Sequence, residues 1–83
     1  MWFVYILRCS DGSLYTGITT KMTRRVDAHN AGTGGAYTRA KRPVRLVFKE
    51  IHPDRGSALK REARIKRLPH AAKEQLEIEM GLQ

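Results

Sequence analysis

The chain has 83 residues, enough for one modest core and a single domain spanning 1–83, and too few to add a deep cofactor cleft. Its formal net charge of +8 rests on 16 Lys and Arg against 8 Asp and Glu, an excess that selects anionic partners. The single cysteine, Cys9, excludes an internal disulfide framework and a multi-cysteine zinc site, and suits a reducing, cytoplasmic setting.

The first segment, Trp2-Phe3-Val4-Tyr5-Ile6-Leu7, is apolar, aromatic and β-branched, which predicts a central strand. It starts at the terminus without a basic leader and is far too short to cross a membrane, so no signal peptide or transmembrane span is expected. Ser10-Asp11-Gly12 is a turn, and Leu14–Thr19 is the returning strand. A two-residue Asp11-Gly12 loop would pair Arg8 with Tyr15 and place Tyr5 and Tyr15 on opposite faces. A three-residue loop with Gly12 left-handed would pair Leu7 with Tyr15 and bring both tyrosines to one face; this second register is the expectation, because both tyrosines then serve one site.

A helix is predicted from about Met22 to Ala31, with Thr19 or Thr20 as cap, Gly32 as stop, and Met22 and Val26 facing the core. Arg25 and His29, four apart, share a face beside that stripe. Gly32-Thr33-Gly34-Gly35 predicts a flexible loop running through Tyr37, Arg39, Lys41 and Arg42 to Pro43, a basic and aromatic segment suited to lie along a nucleic-acid strand. Val44–His52 alternates as a half-buried third strand, with Val44, Leu46 and Phe48 opposed to Arg45, Val47 and Lys49. A second helix is expected over Asp54–Leu68, and Pro69 divides it from a short acidic helix ending near Gly81, with Leu76 and Met80 on its core side.

In the second helix Ala58, Leu59, Ile65 and Leu68 define the inward stripe, and Glu62 falls within it among Lys60, Arg61, Arg64, Lys66 and Arg67. An ionised carboxylate is seldom buried unless it is paired or binds a metal. Glu62 is therefore either a ligand for a divalent cation or the partner of Arg25 or Arg61. Positive charge concentrates around it: residues 39–67 hold Arg39, Lys41, Arg42, Arg45, Lys49, Arg55, Lys60, Arg61, Arg64, Lys66 and Arg67 against Glu50, Asp54 and Glu62. Arg42, Arg45 and Arg55 lie in different elements, so the excess forms a surface rather than a tail. That is the footprint of phosphate-backbone binding. No helix pairs a broad apolar face with a basic one, so a membrane is not the expected partner.

Phosphodiester hydrolysis needs a group to activate water, cations over the phosphate, and help for the departing oxygen. Glu62, Arg25, Tyr5, Tyr15 and His29 are the residue types that could meet these demands. Each also has a structural reading: a strand tyrosine as a core aromatic, a helix arginine as a solvated cation, His29 as a C-terminal helix cap.

Val4-Tyr5-Ile6-Leu7, Leu14-Tyr15-Thr16-Gly17-Ile18-Thr19 and Arg24-Arg25-Val26-Asp27-Ala28-His29-Asn30 together resemble the GIY-YIG nuclease superfamily. Tyr37-Thr38-Arg39 and Leu59-Lys60-Arg61-Glu62 are similar to segments of its small stand-alone bacterial members, and the likeness spans roughly residues 2–68. Phe3-Val4 stand where Gly-Ile would be, and Thr16 replaces an isoleucine. The resemblance implies an α+β fold, a central three-stranded antiparallel sheet flanked by helices in the order β-β-α-β-α-α. It also implies hydrolysis of nucleic-acid phosphodiesters with one divalent metal, Mg²⁺ or Mn²⁺. By position it assigns Tyr5 as base, Tyr15 and His29 as orienting or proton-relaying groups, Arg25 as phosphate clamp, Gly17 as the closing glycine of the motif and Glu62 as metal ligand.

The reading that follows is a small metal-dependent nuclease acting on DNA in preference to RNA, selective for structure rather than sequence, and serving repair or recombination. The alternative from another class is a nucleic-acid-binding module with little intrinsic cleavage, requiring a partner protein that supplies substrate targeting. An RNA-directed protein sharing only the fold is the third reading.

Overall fold

The computed structural model describes residues 1–81. Two strands, β1 (Trp2–Arg8) and β2 (Leu14–Thr19), are followed by α1 (Met22–Ala31), a four-residue helix α2 (Ala36–Arg39), β3 (Arg45–His52), α3 (Arg55–Lys66) and α4 (His70–Met80). The strands form one antiparallel sheet in the order β2-β1-β3, so the apolar first strand is the central one. The expected α+β architecture is present, with one element more than the sequence suggested. The segment expected as a flexible loop contains α2, which packs on α1 and buries Thr38.

The β1–β2 hairpin takes the three-residue turn. Cys9 N–H donates to the Ser13 carbonyl at 2.8 Å, Gly12 N–H to the Cys9 carbonyl at 3.0 Å, and Gly12 is left-handed at φ +86°. Leu7 therefore pairs with Tyr15 and Tyr5 with Gly17. Because strand side chains alternate, this register sets Tyr5 and Tyr15 on one face and Val4, Ile6 and Ile18 on the other.

Each face has its own apolar cluster. Tyr5, Leu7, Cys9 and Val44 pack with Tyr15, Met22, Val26 and Leu46 beneath α1. On the opposite face Val4, Ile6, Val47, Phe48, Ala58 and Ile65 form the larger cluster under α3, which Leu76 and Met80 of α4 complete. Burial of a side chain such as Ile65, fully enclosed there, stabilises by about 1.5–3 kcal/mol. Glu77 of α4 pairs with Arg8 and lies 3.6 Å from Arg45, so the acidic helix covers the core and is anchored by charge.

Three local expectations are corrected. The third strand starts at Arg45 rather than Val44, and it does not alternate cleanly. Ile6 faces Phe48 while Leu7 faces Leu46, leaving Val47 in a bulge; Val47 and Phe48 are consequently both buried. Leu59, placed in the inward stripe of α3, is exposed, because the line Ala58–Glu62–Ile65 meets the sheet and Leu59 lies about 100° round the helix from Ala58. Neither Thr19 nor Thr20 caps α1: Lys21 is the cap residue, and the Thr19 hydroxyl accepts from Lys21 N–H at 3.0 Å. The C-terminal end of α1 behaves as expected, with left-handed Gly32 returning its N–H to Ala28 and His29. Asn30 ties this end to β3, donating to the Val44 carbonyl at 3.0 Å and accepting from Val44 N–H at 2.7 Å.

Candidate active site

β1 and β2 present Tyr5 and Tyr15 beneath α1, and the inner face of α1 presents His29. The three rings form a triangle with centroids 6.4 Å (Tyr5–Tyr15), 6.0 Å (Tyr5–His29) and 5.2 Å (Tyr15–His29) apart. His29 is fully buried, although a histidine in a solvent-facing turn would cap the helix instead. Its ring nitrogens are both engaged. Tyr5 Oη lies 3.0 Å from Nε2, and Thr38 Oγ1 lies 2.7 Å from Nδ1.

One of the two imidazole tautomers runs this chain of polar atoms in a single direction. The Thr38 hydroxyl is 3.4 Å from the Gly35 carbonyl, which can only accept. With its proton spent there, Thr38 Oγ1 accepts from His29 Nδ1–H, which leaves Nε2 to accept from the Tyr5 hydroxyl. In that tautomer the imidazole is a proton acceptor aimed at Tyr5.

The electrostatics agree with this assignment. Burial, with help from the Arg25 cation, holds the His29 pKa below its ordinary value, so the ring is neutral near pH 7. Burial also pushes the Tyr5 hydroxyl above its ordinary pKa of 10; Tyr15 and Glu62 act in the same direction and Arg25 opposes them. Burial outweighs the Arg25 cation, and Tyr5 keeps its proton at rest.

Two glycines make room for this arrangement. A Cβ on Gly17 would fall 2.5 Å from Tyr5 Oη, so the tyrosine lies across the bare backbone of its cross-strand partner. A Cβ on Gly34 would fall 2.5 Å from His29 Nδ1 and 2.8 Å from the His29 Cα. Gly17→Ala is expected to lower kcat by about a hundredfold, since displacement of a reacting group by an ångström has effects of that order. Far-UV circular dichroism should keep its native form; wild-type kcat in the variant would show that Tyr5 does not need this position.

Glu62 of α3 leans inward as its spacing predicts and is half-buried. Its ion-pair partner is Lys66, 3.4 Å away and four residues on, rather than Arg25 or Arg61; Arg61 instead donates to Glu50 at 3.0 Å. Among the described residues no three His, Cys, Asp or Glu side chains converge to hold a metal ion. A single carboxylate suits Mg²⁺, which keeps several waters and is held by one or two carboxylates together with substrate phosphates. Glu62 fits that role.

The segment expected to lie along nucleic acid is partly engaged within the fold. Tyr37 stacks on Tyr15 with centroids 5.7 Å apart, and Lys41 Nζ sits 5.0 Å over the Tyr37 ring while pairing with Asp11. Arg42 donates to the carbonyls of Arg39 and Asn30. Arg39 and Arg42 line an open cavity of about 480 Å³ beside Asn30 and Pro43, and both are exposed there. Thr38 was not among the candidate residues. The only sequence signal was its place inside the Tyr37-Thr38-Arg39 segment, because a threonine has no helical or strand periodicity that reveals a distant imidazole.

Comparison with known proteins bears on the same residues. The sequence model of the GIY-YIG catalytic domain matches residues 1–75. A UPF0213 protein of Desulfotalea psychrophila is 54% identical over 76 residues, covering 90% of this chain and 69% of the relative. A UPF0213 protein of Staphylococcus aureus is 53% identical over 64 residues, covering 77% of this chain and 78% of the relative. The solution NMR structure of a UPF0213 protein from Bacillus halodurans aligns with a TM-score of 0.58 at 45% identity, over 92% of this chain and 82% of that one. A second NMR structure, of a protein from E. faecalis, aligns with a TM-score of 0.60 at 44% identity, over 88% of this chain and 78% of that one.

Proposed function

The chain belongs to the GIY-YIG family, a family whose catalytic domain is that of a nuclease, and from this premise we propose that it hydrolyses DNA phosphodiester bonds with Mg²⁺ or Mn²⁺ bound at Glu62. The observation that carries the reading is the directed chain from Tyr5 through His29 and Thr38 to the Gly35 carbonyl. Binding alone requires no buried imidazole hydrogen-bonded to a buried phenol.

The contacts of Tyr5 and His29 support the following proton steps. Water attacks phosphorus and gives a proton to Tyr5 Oη as Tyr5 passes its own proton to His29 Nε2. One proton enters the phenol and one leaves, so Tyr5 never exists as a free phenolate in its apolar pocket. The imidazolium that forms keeps Nδ1–H on Thr38, which holds the ring in place. Arg25 meets the charge on the non-bridging phosphoryl oxygens. Tyr15, edge-on to His29, limits the ring's rotation. When bound, the cation neutralises charge at the departing oxygen.

The cationic surface supplies affinity, so binding should be salt-sensitive and weakly sequence-specific. A preference for flaps, branches or nicks, and a place in repair or recombination, accord with a cationic surface that meets the phosphate backbone rather than base edges. Among the described residues no helix is long and apolar enough to cross a membrane.

The deciding experiment is cleavage of labelled linear, flapped and branched DNA in Mg²⁺, Mn²⁺ or EDTA. Cutting that requires the metal and favours one DNA structure is expected; binding without cutting in any metal would replace the hydrolase with a partner-dependent module. In the isosteric variant Glu62→Gln, the Mg²⁺ concentration for half-maximal cutting is expected to rise by about tenfold or more, the scale on which metal-site groups act. An unchanged requirement would remove the metal from Glu62.

The pH dependence has a defined sign. Only neutral His29 can accept from Tyr5, and its pKa is lowered. The acid limb of kcat should therefore lie below the ordinary histidine value near 6.5. Over that window the unfolded chain binds a proton that the folded chain refuses, so stability should also fall as the pH drops below about 6.5. Rate profiles and urea titrations across pH 5–8 check both, and an acid limb above 6.5 would contradict the relay.

A further inference from the structure

A second feature of the surface lies beside the relay. A cavity of about 370 Å³ opens where the ends of β1 and β2 meet the first turns of α1, walled by Trp2, Ile18, Thr20, Lys21, Arg24 and Arg25. Its volume is within the range of roughly 300–1,000 Å³ typical of small-ligand sites. Three of its side chains are cations, none of its lining residues is acidic, and among the described residues none of the three cations has a carboxylate partner. The positive charge at this cavity is thus left available to a ligand.

The aromatic wall makes the ligand more specific than an anion. Trp2 is half-buried, and the Arg55 guanidinium lies 5.9 Å from its ring centroid, adding a cation at the rim. Phosphate-binding cations beside an aromatic side chain are the recurring design for a nucleotide of a single strand: the backbone meets the charge and the base packs on the ring. Arg25 belongs both to this cavity and to the electrostatics of Tyr5 and His29, so a strand held here continues into the catalytic centre.

We infer that this cavity holds the nucleotide flanking the scissile phosphate, with its base against Trp2 and its backbone phosphate met by Lys21 and Arg24. The inference rests on the nuclease reading for the position of the scissile bond. It explains how a domain this small can seat an unpaired strand end or flap.

Trp2 is the chain's single tryptophan, so intrinsic fluorescence reports on the cavity directly. Wild-type protein in EDTA would be titrated with a short thymidine oligonucleotide and with the same sugar–phosphate backbone lacking bases. Saturable quenching by the first, and little by the second, is expected. Trp2→Phe should bind the thymidine strand about tenfold more weakly and the abasic strand unchanged. Lys21→Ala/Arg24→Ala, two exposed positions outside the relay, should make the slope of log K against log salt shallower by roughly 0.7, the value for the one single-strand phosphate that the variant leaves unneutralised. Equal responses to both strands, with unaltered binding in both variants, would overturn the inference. Quenching that persists in a protein that cuts nothing would keep the cavity as a nucleotide site and discard the hydrolase. Cutting without quenching would do the reverse.

Discussion

Tyr5→Phe is expected to lower kcat by about 10²- to 10⁴-fold, the range over which positioned acid–base groups act, while DNA affinity stays close to wild type. The phenol contacts His29 Nε2 at 3.0 Å and is the group to which the proposed mechanism gives the water's proton. Phenylalanine keeps the ring packing against Leu7 and Tyr15 and removes only the oxygen. The variant also leaves Nε2 of a fully buried imidazole without its donor, which costs about 1–3 kcal/mol of stability. Single-turnover cleavage at saturating metal, with fluorescence anisotropy for binding and urea melts for stability, separates the three effects. A kcat equal to wild type would transfer the base to another group, and weakened binding with retained kcat would make Tyr5 a contact residue only.

Arg25→Ala should reduce turnover by about 10³-fold, by comparison with arginines that stabilise charge in other phosphoryl-transfer sites. It should also change the pH profile in a direction that a purely structural arginine would not produce. The Arg25 cation lowers the His29 pKa, second only to burial. Removing it raises that pKa, so the imidazole protonates at higher pH and the acid limb of kcat moves upward. Lysine at this position retains the charge but loses the planar fork, and should restore the pH profile better than the rate. Rate profiles of the three proteins, taken at the same ionic strength, test this; an acid limb unmoved in the alanine variant would separate Arg25 from His29.

The surface cations bear on the same experiments through salt. Lys41 is held by Asp11, and its hydrogen bond keeps the Asp11 carboxyl well below the usual carboxylate range. Neutralising Lys41 therefore removes a turn contact as well as a charge, and makes a poor control for DNA binding. Arg39, exposed on α2, is the better choice on that side of the site.

Much of the fold is legible in local sequence because its signals are local. A six-residue apolar run makes a central strand, Pro69 separates two helices, and Asp54 caps α3 by accepting from Ser57 N–H at 2.8 Å. The register of the hairpin follows from turn length, and with it the shared face of Tyr5 and Tyr15. Period 3.6 likewise placed Glu62 on the inner line of α3. The helix's narrow contact with the sheet, which exposes Leu59, could not be seen in that period.

Composition and spacing alone leave each of Tyr5, Tyr15, Arg25, His29 and Glu62 with a structural alternative, and it is the resemblance to the GIY-YIG superfamily that joins them into a candidate site. Three dimensions decide what these groups can do to one another. The direction of the His29 proton depends on Thr38 and the Gly35 carbonyl, which reach the ring only because α2 folds onto α1. Arg61 pairs with Glu50 of β3, and Glu62 pairs with Lys66 one turn on. The raised Tyr5 pKa depends on enclosure by β2, where Gly17 lacks the Cβ that would block it. Periodicity records which way a side chain points from its own backbone. Hydrogen-bond direction, charge pairing and desolvation are properties of groups far apart in sequence, and they exist only once the chain has closed around them.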